Sequence, residues 1–265
     1  MPPPPAGTGL RLSVIIPAFN EAATLPTVVH EVLALPLDLE VIVIDDGSRD
    51  RTGCVARELE RRNARVRLIA HARNRGKGAA VRTGLRAARG AVVVIQDADL
   101  EYEPRDIVRM LARLEESGAD AVYGSRWLLA GNRAASPAHR LGNRFLAWLV
   151  RTLYRVPLTD EATAYKMGRR SVLLGLLLRE SGFGFCAEVT AKLLRAGSRI
   201  EEVPVSYCPR SAREGKKIRF RHALEATWLL LRYRFAAPAR HVCEVGRPVA
   251  AENNSAVLRP LEVCR

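Results

Sequence analysis

Residues 91–101 read Ala91-Val92-Val93-Val94-Ile95-Gln96-Asp97-Ala98-Asp99-Leu100-Glu101. A run of β-branched residues without polar alternation suits a strand buried on both faces, the kind found in parallel sheets covered by helices. The run ends abruptly in acids at 97, 99 and 101. In an open parallel sheet, ligands collect at the carboxyl ends of the strands. The same cadence occurs upstream. Leu12 to Pro17 is a strand followed by Glu21, Val41 to Asp45 a strand followed by Asp46, and Val66 to Ala70 a third strand. Helical spacing fills the gaps over 20–35, over 50–62 with Ser48 or Asp50 as the cap, and over 78–89. A further helix begins at Pro104 and stops at Gly118, and residues 119–123 form a fifth strand. Alternating strands and helices call for right-handed crossovers and an α/β, Rossmann-like, mostly parallel sheet flanked by helices.

The pattern changes after Ser125. Leu141, Phe145, Leu149 and Leu153 mark a helix over 137–155, and two more follow over 169–180 and 185–196. Ile200 to Tyr207 alternates like a strand. A last helix over 217–235 carries Ile218, Leu224, Trp228, Leu231 and Phe235 among many arginines. The Pro/Gly-rich residues 1–10 and the aperiodic residues 236–265 are expected to be disordered. One domain with two halves, 11–125 and 126–235, is the expected organisation.

The chain has 265 residues, 48% apolar and 26% charged, which are globular proportions with ample length for a large core. No apolar run approaches the roughly 18–20 residues of a membrane-spanning helix. Met1-Pro2-Pro3-Pro4-Pro5 lacks the basic and apolar regions of a secretory signal. The five cysteines are scattered, so neither a disulfide framework nor a zinc site is expected, and the cytoplasm is the expected compartment. Charge is divided unevenly. Residues 1–125 hold 17 basic and 17 acidic side chains, whereas 126–240 hold 22 and 8, the whole of the +14 excess. A basic block of this kind implies an anionic partner: nucleic acid, a phosphorylated substrate or an acidic membrane surface.

Hard oxygen ligands clustered at strand ends suit Mg²⁺ or Mn²⁺, and such an ion would bridge a diphosphate and offset charge growing on a leaving group. Several phosphate motifs are missing. Gly76-Lys77-Gly78 lacks the spacing of a Walker A loop, no GxGxxG follows the first strand, and no GxSxG occurs.

The stretches LSVIIPAFNEAATL, VIVIDDGSRDRT, NRGKGAAVRTGLRAARG and VIQDADLEYEP resemble the successive signatures of family 2 glycosyltransferases with the GT-A (nucleotide-diphospho-sugar transferase) fold. YGSRW, TDEATAYKM, GFGFCAEVTAKLLRAG and VPVSYCPRSAREGKKI are similar to the dolichyl-phosphate mannose synthase and polyprenyl-phosphate glycosyltransferase branch. The resemblance runs from residue 11 to about 235 and makes 11–125 the nucleotide-sugar half and 126–235 the acceptor half. It implies that Pro17, Ala18, Glu21 and Asp45 hold the nucleoside. It implies that Asp97, Asp99 and Glu101 bind the metal, with Asp97 and Lys77 meeting the donor diphosphate. Many relatives carry Gln where this chain has Glu101. Asp99, Arg126 and Arg140 take the catalytic roles by resemblance, and Arg140, Arg210 and Lys217 meet the acceptor phosphate. The spacing leaves Arg210 and Arg213 as alternatives.

The activity so implied is an inverting transfer of a hexose, mannose from GDP-mannose first and glucose from UDP-glucose second, to a polyprenyl phosphate at the cytoplasmic face of a membrane. Peripheral attachment, with a separate membrane-anchoring partner as an option, goes with it. A phosphate monoester is largely anionic near neutrality, so no strong base is required. An acceptor sugar hydroxyl would need one, and Glu188 is the candidate. A nucleic-acid-binding protein would account for the charge but not the acidic rim, so no nucleic acid is expected. A nucleotidyltransferase would carry a Gly-rich loop after the first strand, and a processive synthase a QxxRW motif; both are missing.

Overall fold

The computed structural model describes residues 11–132, 136–210 and 220–236. Seven strands form one sheet in the order β3-β2-β1-β4-β6-β5-β7. β1 (Leu12–Ala18), β2 (Leu39–Asp45), β3 (Val66–Ala70) and β4 (Val92–Ile95) are mutually parallel. β5 (Ala121–Ser125) pairs in parallel with β7 (Ile200–Pro204). Between β4 and β5 lies β6 (Lys166–Arg169), antiparallel to both. The helices are α1 (Leu25–Leu33), α2 (Thr52–Arg62), α3 (Lys77–Ala87), α4 (Asp106–Ser117), α5 (Pro137–Tyr154), α6 (Arg170–Gly175), α7 (Phe185–Arg195) and α8 (Phe220–Phe235).

The unbroken β-branched runs feed two cores, because successive side chains leave opposite faces of a strand. Val14, Ile16, Val41, Val43 and Val94 pack on the face covered by α1 and α4. Ile15, Ile42, Ile44, Val93 and Ile95 pack on the other, against α3, α5, α7 and α8. Each such side chain contributes about 1.5–3 kcal/mol by leaving water. α3 comes so near the sheet that a Cβ on Gly84 would stand 2.4 Å from Ile15 Cγ2. Gly118, at φ 65°, ends α4 in the left-handed conformation, as the spacing predicts.

Three boundaries differ from the sequence reading. The first helix starts at Leu25, not Asn20: Asn20 has φ 56°, which no helix accepts, and Pro26 suits the first turn. The helix expected over 169–180 is confined to the short α6, and just before it lies β6, a strand the sequence reading did not include. β6 (KMGR) has no β-branched residue and is a strand only because a slot between β4 and β5 accepts it. The last strand stops at Pro204, Tyr207 making only an isolated bridge to Tyr102. Residues 1–10 and 237–265, together with Arg213, Lys217 and Ile218, lie outside the described residues. Among the described residues no helix is long and apolar enough to cross a membrane.

Candidate active site

The carboxyl ends of β1 and β4 open into a cavity of about 520 Å³. On its wall the fold brings together Pro17, Ala18, Glu21, Lys77, Asp97, Asp99, Glu101, Arg126 and Arg210. Asp45 and Arg140 are not on that wall. Asp45 accepts a hydrogen bond from the backbone N–H of Ser48 at 3.0 Å and shapes the loop after β2. Arg140 is exposed on α5, beside His139, which does line the cavity.

The loops after β1 and β2 are zipped together. Asn20 N–H donates to Ser48 Oγ at 3.0 Å, and Arg49 N–H returns to Asn20 Oδ1 at 2.8 Å. Asp50, one of the two expected caps, accepts from the N–H of Thr52 at 2.9 Å. Asp46, the second acid after β2, lines the cavity while accepting from the N–H groups of Arg75 (3.0 Å) and Gly76 (2.8 Å) and pairing with His71 at 2.6 Å. Gly76 has φ 91°, and a Cβ there would collide with the Ser181 carbonyl. The first amides of α3 are already taken: Gly78 and Ala79 donate to the carbonyls of Gly182 and Ser181, both at 3.2 Å. This helix end is therefore not a phosphate cradle, in agreement with the wrong Walker A spacing.

After β4, Asp97 forms an ion pair with Lys77. Burial alone would lower the Lys77 ammonium, but Asp97 beside it raises it overall. Asp99 is pushed up to about 7, first by burial and then by repulsion from Asp97 and Glu101. Glu101 accepts from Tyr207 Oη at 3.0 Å and from the Arg210 N–H at 2.8 Å. Among the described residues no three acid, His or Cys side chains converge as a ready-made cage. The crowding of Asp99 is nevertheless the mark of excess negative charge on hard oxygen atoms, which a divalent cation fits.

Arg126 is buried and clamped by Asp160 through two side-chain bonds of 2.7 Å and a backbone bond of 3.0 Å. Its charge already has a partner. Arg210 lines the cavity: Nε donates to the Asp99 carbonyl at 2.6 Å, Nη1 reaches Glu21 at 3.1 Å, and Nη2 has no partner among the described residues.

The family model for Glycosyl transferase family 2 matches residues 13–176. The chain belongs to that family. An uncharacterized glycosyltransferase of Mycobacterium tuberculosis is 34% identical over 78% of this chain and 90% of its own length. The polyprenol monophosphomannose synthase of Mycolicibacterium smegmatis is 32% identical over 82% and 86%. Among solved structures, glucosyl-3-phosphoglycerate synthase of Mycobacterium tuberculosis, in complex with Mn²⁺, UDP and glucosyl-3-phosphoglycerate, superposes with a TM-score of 0.64. At 21% identity over 88% of this chain and 82% of that one, this likeness shows the fold, the expected GT-A fold.

In this family 2 glycosyltransferase Glu188 does not line the cavity. It accepts from the N–H groups of Arg179 and Glu180 (both 2.8 Å) and from Tyr233 Oη (2.9 Å), and pairs with Lys192 at 2.7 Å. Burial alone would raise its carboxyl, but the Lys192 contact and the two amides outweigh it and lower it. Glu188 is thus a latch joining α7, α8 and the 179–180 turn. A carboxyl lowered by folding stabilises the native state above the ordinary range near 4.5, and that contribution is lost as acid protonates it. Glu188→Gln is expected to cost roughly 2–4 kcal/mol at pH 7. Thermal melts should show the gap closing below about pH 4; a stable variant with no turnover would instead restore the base role.

The sequence places Asp46 on the acidic rim but gives the nucleoside contact to Asp45, and it passes over Asn143 and Glu161 as wall residues. Asp46 is chemically indistinguishable from Asp45 in the sequence; only the strand's last turn decides which one faces the cavity. Asn143 lies on the inner face of α5 among larger apolar signals. Glu161 was visible within TDEATAYKM, but nothing local distinguishes it from Asp160.

Proposed function

We propose that this enzyme transfers a hexose from a nucleoside-diphosphate donor to a polyprenyl-type phosphate at the cytoplasmic face of a membrane, with inversion. Mannose from GDP-mannose is the first choice, mannose being the sugar in the name of the Mycolicibacterium relative, and glucose from UDP-glucose is the second. One observation carries the reading. The cavity runs from the acids after β4 to α5 and α8, whose outer faces bear apolar and cationic side chains together. On α5, Leu141, Phe145 and Trp148 are exposed beside Arg140, Arg144 and Arg151. On α8, Leu224, Trp228, Leu231 and Phe235 are exposed, with Arg232 over the Trp228 ring at 4.9 Å. The apolar stripe legible in α8 is its outer side, because Ala226, Leu229 and Leu230 fill the core. A helix apolar inside and aromatic-plus-arginine outside suits a lipid headgroup layer.

In this reading Asp97 and Asp99 hold the divalent ion, Mg²⁺ or Mn²⁺, which supplies neutralisation of the diphosphate. Glu101, already accepting from Tyr207 and Arg210, keeps lone pairs with which to join them. Arg210, with one free guanidinium nitrogen, and Arg140 at the rim orient the acceptor phosphate. An acceptor oxygen bonds to the anomeric carbon as the bond to the departing diphosphate oxygen breaks and its electron pair leaves with that oxygen. The dianionic acceptor needs no base, consistent with Glu188 being engaged elsewhere. Arg126 positions the wall through Asp160.

The deciding experiment offers GDP-mannose, UDP-glucose and UDP-N-acetylglucosamine with Mn²⁺ and a short polyprenyl phosphate and identifies the lipid product. Transfer to a soluble hydroxyl acceptor in preference to the lipid would overturn the acceptor. A second measurement tests the surface. Vesicles containing anionic lipid should recruit the protein in a salt-sensitive manner, and Trp148→Ser with Trp228→Ser should weaken recruitment about tenfold or more. Recruitment unchanged by both substitutions would remove α5 and α8 from the interface.

A further inference from the structure

The wall of the cavity carries buried polar atoms that have no hydrogen-bond partner among the described residues. Glu161, between α5 and β6, is 1% exposed and lines the cavity, and neither of its carboxylate oxygens has a hydrogen-bond partner. The cations around it, Lys166 first, attract the carboxylate without hydrogen-bonding to its oxygens. Asp160 holds Arg126. Lys166 donates to the backbone carbonyl of Glu161 at 2.8 Å and to Thr190 Oγ1 at 3.2 Å, and its ammonium rests 3.6 Å from the centre of the Tyr123 ring. Asn143 on α5 lines the same cavity and is 5% exposed, and its amide nitrogen is also without a partner among the described residues. Buried polar groups in native proteins are rarely left unpaired, and one facing a cavity is satisfied by ordered water until a ligand displaces it.

The chemistry of that ligand follows from the unpaired set: two acceptor oxygens on one carboxylate and one amide NH₂. A phosphate would be repelled by the carboxylate. A divalent ion would find a single acid here, against the acids gathered after β4. A polyol supplies what is missing, since adjacent hydroxyls donate two O–H bonds to one carboxylate and a hydroxyl oxygen accepts from the amide. The position suits the sugar rather than its carrier. Cys186 lies on the same wall, its thiol pushed up to about 11 first by burial, with Lys166 and Lys77 opposing and Glu161 and Asp97 adding to the rise. Glu161, Cys186, Lys77 and Asp97 all line this one cavity. We propose that Glu161 and Asn143 recognise ring hydroxyls of the hexose being transferred and so set which sugar the enzyme accepts. This rests on the reading of Asp97 and Asp99 as the donor end.

Calorimetric titration of the full chain with Mn²⁺ tests it, comparing GDP with GDP-mannose and UDP with UDP-glucose. The wild type should bind the preferred nucleotide sugar more tightly than its bare diphosphate. Glu161→Gln and Asn143→Ala should each erase about tenfold of that difference and leave affinity for the bare diphosphate within about twofold. Glu161→Gln should also hold or raise the melting temperature of the free protein, because burial of the carboxylate outweighs its attraction to Lys166; a merely structural acid would lower it. An unchanged sugar increment in both variants, or parallel loss of diphosphate affinity, would overturn the proposal. A wild type that binds neither diphosphate nor nucleotide sugar would overturn the donor reading and this proposal with it.

Discussion

Asp99→Asn is expected to lower turnover about a thousandfold while the protein stays folded. The size of the loss comes from chemistry: a departing diphosphate develops charge that a fixed cation stabilises, and loss of one such stabilising element typically costs 10²–10³ or more in rate. The tolerance of the fold comes from electrostatics. Asp99 is raised to about 7 by burial and by the nearby Asp97 and Glu101, so its ionised form is a burden on the free protein. A neutral amide of the same size relieves that repulsion, and the melting temperature should hold or rise. Turnover at saturating Mn²⁺ and a thermal melt of the same sample check both halves. Undiminished turnover would remove Asp99 from the metal site, and a large drop in melting temperature would make it structural.

Asp160→Ala has the largest expected effect on stability. It leaves Arg126, 3% exposed, as a buried cation stripped of three hydrogen bonds. Removing one partner of a buried pair typically costs about 3–5 kcal/mol. For a chain of this size that is roughly 6–15 °C in melting temperature. Arg126→Met combined with Asp160→Ala should recover a good part of the loss, because no charge is then left uncompensated. If the double variant is no better than Asp160→Ala, the guanidinium is not the source of the penalty. Catalysis should fall with Asp160→Ala as well, since the cavity wall at Arg126 is held by the same contacts.

Much of the fold is legible because its strands are buried on both faces. Val92 to Ile95 and Val41 to Ile44 announce a covered parallel sheet without any knowledge of their partners, and the acids directly after them mark the ligand-binding edge. β6 is not legible, because Lys166 to Arg169 owes its extended form to the neighbours on either side. The site divides in the same way. Asp97, Asp99 and Lys77 belong to motifs read along the chain. The diversion of Glu101 to Tyr207 and Arg210, more than a hundred residues on, belongs to none.

By itself the amino-acid order determined the strand–helix alternation, the acidic edge and the concentration of positive charge after residue 125, since each depends on residues near one another in the chain. Only the tertiary structure decided which charges have partners: Arg126 closed on Asp160, Glu188 tied to Lys192, Glu161 left open to the cavity. Pairing is set by distance in space and exclusion of water, and both exist only once β4, β6 and α5 have packed.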